Sequence, residues 1–296
     1  MRLTASTARG TIFLEEARIL QHTPYEGEQY VMRLEAPKCA ERAAPGSFVH
    51  LTCDPGLPMR RPLSIMRTDP GGGWIELLYK VTGVGLRALA ARKVGERISV
   101  LGPIGRPFTV HRERPRPLLV GGGVGIPPMI FLADWVRSHR EVQWQPLVLM
   151  GSEIPFPFRS RPSRIVIEGM PVASIACMPL LDEWGIASRL ASRSGFAGCF
   201  DGFVTELADA WLRTLRPEAL AKVEIFACGP SAMLEATAGL ARRYQLPCQV
   251  SLEEFMACGV GGCAGCAVYV RSPVGPAMKR VCVDGPVFEA EAIFGD

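Results

Sequence analysis

The chain has 296 residues, 48% hydrophobic and 21% charged, which is enough for two or three domains with apolar cores. Its 33 basic and 29 acidic residues leave a net charge of +4 with no basic run long enough to bind nucleic acid. The most apolar stretch, 117–132, is broken by Gly121, Gly122, Gly123, Gly125, Pro127 and Pro128, which excludes a membrane span there. Met1–Ala8 has no apolar core of signal-peptide length, so a cytoplasmic setting is expected.

From Thr11 to about Leu101, short apolar runs alternate with Gly/Pro punctuation: Thr11–Leu14, Gln29–Leu34, Ser47–Thr52, Trp74–Val81 and Arg97–Leu101. This spacing predicts a small antiparallel barrel with one helical interruption near Leu86–Arg92 and a closing turn at Gly102–Phe108. Inside it, Arg60-Arg61-Pro62-Leu63-Ser64 sets an arginine fork ahead of a hydroxyl, which suits a diphosphate and a flat hydrogen-bonding ring. An arginine at a strand start is equally an ordinary structural feature. Tyr79-Lys80-Val81-Thr82-Gly83-Val84-Gly85-Leu86 reads as strand, glycine turn and helix start, and backbone amides at such a helix start bind phosphate.

The Pro-rich segment Arg112–Pro117 marks a domain boundary. After it, Leu118-Leu-Val-Gly121-Gly122-Gly123-Val124-Gly125 followed by an apolar helix has the grammar of a nucleotide-binding βα unit. It departs from G-x-G-x-x-G, because the third glycine would fall at Ile126. A second strand, Gln145–Met150, ends at Glu153, an acid placed to accept from a ribose 2′-OH and so to favour NAD over NADP. Ile154–Pro171 reads as a Pro/Arg-rich surface insertion, and Ser194–Thr205 as a glycine loop before a helix at Glu206–Leu215. Val223–Cys228 followed by Gly229-Pro230-Ser-Ala-Met233 repeats strand, tight turn and helix, so a parallel α/β sheet is the economical arrangement.

Cys258, Cys263 and Cys266 have C-x4-C-x2-C spacing, and Cys282 follows downstream. That is the plant-type spacing for a [2Fe-2S] cluster, and Gly259, Gly261, Gly262 and Gly265 let backbone amides approach the sulfides. A four-cysteine zinc site is the competing reading, although zinc sites more often present two C-x2-C pairs. The other cysteines, Cys39, Cys53, Cys177, Cys199, Cys228 and Cys248, are scattered and read as buried thiols.

Arg61-Pro-Leu-Ser64, Gly121–Gly125, Cys228-Gly-Pro-Ser-Ala-Met233 and the four cysteines occur in the order of the ferredoxin-NADP reductase superfamily. The carboxyl-terminal cysteines with Val-Asp-Gly-Pro-Val-Phe288 resemble the electron-transfer subunits of class 1B dihydroorotate dehydrogenases. The resemblance implies three units: an FAD-binding β-barrel (1–111), an NAD-binding α/β domain (112–250) and a [2Fe-2S] segment (251–296). It assigns Arg61 to the FAD diphosphate, Ser64 to the isoalloxazine edge and Gly83 and Gly85 to the FAD phosphates. Pro62, Leu63, Tyr79, Lys80, Val81 and Leu86 are expected around that site. Gly121–Gly125 would bind the NAD pyrophosphate, with Cys228, Gly229, Pro230 and Met233 near the nicotinamide. Leu63 stands where an aromatic is usual in the superfamily, and Leu86 where a threonine is common.

The implied activity is electron relay in pyrimidine biosynthesis, between NAD and a separate FMN-containing dihydroorotate-oxidising subunit in a hetero-oligomer. No catalytic substrate base is expected on this chain. The alternatives are a reductase subunit of another complex, of the sulfhydrogenase gamma or ferredoxin-NADP reductase type, and a non-enzymatic zinc protein.

Overall fold

The computed structural model describes residues 11–272 and 274–295. The segment Met1–Ala8, read above for a signal peptide, lies outside them. Strands β1 (Phe13–Tyr25), β2 (Gln29–Glu35), β3 (Phe48–Leu51), β4 (Arg61–Asp69), β5 (Trp74–Lys80) and β6 (Arg97–Ile104) close a barrel in the order β1-β2-β5-β4-β3-β6. All neighbours are antiparallel. Helix α1 (Pro37–Arg42) lies between β2 and β3, and α2 (Gly83–Ala90) between β5 and β6. Period-two alternation fills the barrel: Ala17, Ile19, Met32, Leu34, Ile75, Leu77 and Tyr79 all point into one core.

Two local expectations are corrected here. β1 continues well past Leu14, because its second half, Arg18 to Tyr25, pairs with β2, where Arg18 also meets Glu35 at the opposing position, 3.0 Å away. The arginine motif stands at a strand start, as expected, and opens the nine-residue β4. Gly102-Pro103-Ile104 still belongs to β6, held by burial of Ile104.

The second unit contains β7 (Arg116–Gly122), α3 (Ile126–Ser138), β8 (Leu147–Gly151), the short pair β9 (Arg161–Pro162) and β10 (Ala176–Cys177), and α4 (Pro179–Glu183). It continues through β11 (Ala187–Ser192), β12 (Phe200–Asp201), α5 (Val204–Leu212), α6 (Pro217–Leu220), β13 (Val223–Cys228), α7 (Ser231–Tyr244) and β14 (Cys248–Ser251). The last stretch adds β15 (Ala267–Val270), β16 (Ala277–Arg280), β17 (Val287–Glu289) and α8 (Ala290–Phe294). One sheet runs β12-β11-β8-β7-β13-β14-β17, parallel except for β17, which returns antiparallel on β14. The wholly buried strand β13 and the nearly buried β7, apolar apart from Glu224 and Arg116, follow from helices on both faces. α5 begins at Val204 rather than Glu206, because the Glu206 carboxylate accepts the Phe203 N–H at 2.7 Å and caps the helix from inside.

Two cores join these parts. Met66 and Leu78 of the barrel pack with Ile126, Met129 and Ile130 of α3 and with Phe226 of β13. Phe48 and Ile104 pack with Met256, Val281, Cys266 and Cys282 of the carboxyl-terminal segment. The 154–171 stretch is tied down rather than loose: Phe156 is buried beside Phe158 and Phe196, and Gln29 Nε2 donates to the Pro155 carbonyl at 2.7 Å. None of the described helices is long and apolar enough to cross a membrane.

Candidate redox cofactor sites

The two arginines of the barrel motif divide their work. Arg60 braces the barrel, donating to the carbonyls of His50 and Ser99 and to Ser99 Oγ. Arg61 donates to the carbonyls of Met59 and Arg60, which anchors one end of its guanidinium. The rest of that guanidinium lies over the first turn of α2, so close that a Cβ on Gly85 would sit 2.7 Å from Nε. Gly83 takes φ +71° with open space around it, and no side chain caps the helix at Thr82. Free amides beside a guanidinium form a cradle for a diphosphate. Ser64 lies three residues along β4, opposite Phe48 of β3. Leu63, Tyr79, Val81 and Leu86 turn into the barrel core, and Tyr79 Oη bonds His22 Nε2 at 2.7 Å, so these four offer a ligand only their main chain. Lys80 is half-buried at the end of β5.

The glycine turn after β7 and the turn after β13 are built against each other. β7 and β13 are adjacent and parallel, with Gly121 level with Cys228. A Cβ on Gly125 would stand 2.3 Å from the Cys228 carbonyl oxygen, and one on Gly122 would stand 2.5 Å from Met233 Sδ. Gly229 in turn faces Met233 and the Gly122 nitrogen. Side chains are excluded from both turns, so their main chains come into contact. Pro127 and Pro128 occupy the first turn of α3 and remove two of its donors, which leaves the amides of the Gly122–Gly125 turn to meet an anion. Val124 is half-buried in that turn, and Gly123 has φ +55° with open space beside it. The Gly123–Gly125 turn comes within 8 Å of β5, the strand that leads into the Gly83–Gly85 helix start.

Glu153 is exposed past the end of β8, and its main-chain carbonyl accepts from Ser194 Oγ at 2.8 Å. Arg193, just past the end of neighbouring β11, lies over the Phe203 ring 5.0 Å from its centroid, and its main-chain N–H points at Glu153 Oε1, 3.5 Å away. Cys228 is buried, and its pKa is pushed up by burial and then by the charge of Glu253, against a hydrogen bond with Ser251. A basic cavity of about 440 Å³ lined by Arg116, Arg216 and Lys222 lies at the amino-terminal end of the sheet, opposite these turns.

The four candidate ligand cysteines fall into two pairs. The β15–β16 hairpin brings Cys266, just before β15, to Cys282, just after β16, with their sulfurs 3.4 Å apart. That is close to the roughly 3.8 Å expected of two thiolates on one tetrahedral metal with bonds of about 2.3 Å. Cys263 is the neighbour of Cys258, close enough for both its side chain and its amide to act on that thiol. Burial would raise the Cys258 thiol, but donation from the Val260, Cys263 and Gly262 amides and from Cys263 brings it down to about 6. The Gly265 N–H points at Cys263 Sγ, 3.4 Å away. Cys282 is pushed up to about 12 by burial and by Cys266.

Among the described residues no three His, Cys, Asp or Glu side chains converge on one metal position. Two separate pairs wrapped by amides are the donor set a two-iron cluster needs. The loop conformation depends on Gly259 at φ +69° and Gly261 at φ +82°, and a Cβ on Gly261 would strike Val283 at 2.5 Å. Arg280 clasps the loop through the Gly261 carbonyl at 2.8 Å. Cys266 and Cys282 are buried against the barrel, whereas Cys263 is exposed, as are Phe255 and Val260 of the same segment, at 93% and 49%.

Sequence reasoning did not single out His50, Arg193, Glu253 or Arg280. Three of these are charged residues in loops or at element ends, where a solvated face is the ordinary expectation. His50 sits in an apolar strand, where a core histidine is ordinary.

A family profile, the iron-sulfur cluster binding domain of dihydroorotate dehydrogenase B, matches residues 253–294. The chain is 32% identical over 280 residues to the "Dihydroorotate dehydrogenase B (NAD(+)), electron transfer subunit" of Desulforamulus reducens, covering 92% of this chain and 95% of that one. It is 32% identical over 281 residues to the protein of the same name from Caldanaerobacter subterraneus subsp. tengcongensis, covering 94% and 97%. Among solved structures it resembles an NADH-dependent reduced ferredoxin-NADP oxidoreductase studied for flavin-based electron bifurcation, with TM-score 0.74 and 26% identity over 94% of this chain and 90% of that one. Phthalate dioxygenase reductase shares the fold at TM-score 0.55 and 16% identity, over 90% and 76%.

Proposed function

The chain belongs to the family of dihydroorotate dehydrogenase B electron transfer subunits, and on that premise we propose the following division of labour among its residues. It is an oxidoreductase subunit that uses FAD, a [2Fe-2S] cluster and NAD, and it relays electrons between NAD and the FMN-bearing, dihydroorotate-oxidising subunit of a hetero-oligomer in pyrimidine biosynthesis. A flavin supplies the exchange between the two-electron hydride of NAD and single electrons at iron.

Arg61 and the amides of Gly83 and Gly85 hold the flavin diphosphate, and Ser64 hydrogen-bonds the ring edge. Pro62, Leu63, Tyr79, Lys80, Val81 and Leu86 shape that cradle, the buried ones through their main chain. Gly121–Gly125 receives the NAD pyrophosphate, while Cys228, Gly229, Pro230 and Met233 keep water from the nicotinamide. Glu153 faces the ribose. Cys258 and Cys263 hold one iron, and Cys266 and Cys282 the other. The units 1–111, 112–250 and 251–296 then carry one cofactor each, and β17 latches the third to the sheet of the second. The setting we propose is the cytoplasm.

The observation that carries this reading is adjacency. The nucleotide turns face β5, and Gly259 of the cluster loop touches His50, which stands opposite Pro62 of the flavin motif. Bound cofactors would then be neighbours, the cluster held at the Cys258–Cys282 loop and its exposed Cys263 edge left for the partner. The test combines the chain, loaded with FAD and cluster, with an FMN-bearing catalytic subunit and dihydroorotate under anaerobic conditions. NAD is reduced by the intact chain and not by Cys282→Ser. Equal NAD reduction by the variant contradicts the reading.

The likeness to the bifurcating oxidoreductase favours a second reading, a reductase subunit working with a different partner. NADH-driven reduction of FAD and cluster combined with no response to the dihydroorotate-oxidising subunit selects it.

A further inference from the structure

His50 is 0% exposed, and neither ring nitrogen has a hydrogen-bond partner within normal geometry. A buried polar side chain in that state costs free energy, so its surroundings call for an explanation. The ring points at the cluster loop. A Cβ added to Gly259 would lie 2.7 Å from His50 Nδ1, and the backbones of Met256 and Cys258 are the main-chain groups that act on the ring. On the other side, the His50 main chain is level with Pro62 of the Arg61–Ser64 motif, and its carbonyl accepts from Arg60. A single residue thus spans the short distance between the flavin motif and the cysteine loop.

We propose that His50 is a positioning residue that joins the two redox sites, seating the Cys258–Cys263 loop on β3 and filling the path between cluster and flavin. The neutral ring has one N–H to donate, and the Met256 and Cys258 backbone lies on that side, so a small tightening of the loop on binding iron completes the bond. Gly259 is required because any larger residue would displace the ring. The inference depends on the electron-relay reading for its purpose but not for its geometry.

The test uses the full chain reconstituted with iron, sulfide and FAD, with His50→Leu and His50→Gln beside it. Three quantities are read: iron and sulfide per chain, the EPR spectrum of the reduced cluster, and the separate rates of flavin and cluster reduction after mixing with NADH. Removing an outer-shell partner of a metal ligand typically costs about 10- to 100-fold. His50→Leu should therefore shift the EPR spectrum and slow cluster reduction about tenfold while flavin reduction by NADH stays within about twofold. His50→Gln keeps a donor and should recover most of the cluster rate. If His50→Leu keeps both the spectrum and the cluster rate, or if Leu and Gln behave alike, the positioning role is wrong. If the unsubstituted chain binds no iron and flavin or ignores NADH, the relay reading fails instead, which is a separate outcome.

Discussion

Replacing Gly125 with alanine probes the nucleotide site at its tightest point. The added methyl would stand 2.3 Å from the Cys228 oxygen, 2.4 Å from its carbonyl carbon and 2.5 Å from the Gly229 nitrogen. All three are main-chain atoms of a buried strand end, so no flexible side chain can swing away, and the two turns must separate. Overpacking of this kind costs about 1–3 kcal/mol. Charged to the closed pair of turns, that corresponds to roughly 5- to 150-fold weaker NADH binding. Gly239→Ala is the control, since its methyl meets nothing within 4 Å in the interior of α7, and it should raise stability by about 0.5–1 kcal/mol without touching NADH. The assay is stopped-flow flavin reduction over a range of NADH concentrations, with FAD content and thermal midpoint recorded for each variant. A Gly125→Ala protein that saturates with NADH at the wild-type concentration would show that the turns do not act as one site.

Cys258→Ser and Cys282→Ser each remove one sulfur from a different pair, and both should lose the cluster while the barrel keeps FAD, read from iron and flavin contents. Glu153→Ala removes the exposed carboxylate assigned to the ribose 2′-OH, so the preference for NADH over NADPH should fall several-fold in the ratio of kcat/KM values. Val260→Asp places a charge at the exposed rim of the cysteine loop and should slow reduction of the cluster by the partner subunit while NADH-driven reduction is unchanged. The buried Glu224 carboxylate accepts from His111 Nδ1 at 2.8 Å, and this bond raises the His111 pKa above 6.5, while burial raises that of Glu224. Raised folded-state values mean stability held at lower pH and lost as pH rises. The urea midpoint should therefore fall as pH rises, from about pH 4.3 through Glu224 and from about pH 6.5 through His111, and His111→Gln should flatten the upper part of that fall.

The parts of the molecule that were legible from sequence are those whose chemistry is local. Iron ligands must sit at fixed short spacings, and close main-chain approach requires glycine, so Cys258–Cys266 and Gly121–Gly125 announce themselves. Tyr79 and Val81 were drawn into the flavin site by their place next to a glycine turn, yet the alternation of Ile75, Leu77 and Tyr79 already pointed them into the core. The length of β1 was hidden because its outward face is charged, and the cross-strand partner Glu35 is visible only once the strands pair. His50 could not be found from sequence, because its contact with Gly259 joins residues far apart in the chain and its own neighbours in β3 are apolar. The return of β17 onto β14 is likewise a tertiary pairing, which three residues of strand do not signal.

The most direct test of the relay is an anaerobic visible spectrum of the purified full chain, with iron, sulfide and flavin assays, followed by addition of NADH. The account predicts one FAD and two iron atoms per chain, with flavin and cluster absorption bleaching together. A colourless protein containing zinc, or a flavin that bleaches while the iron stays oxidised, would contradict it.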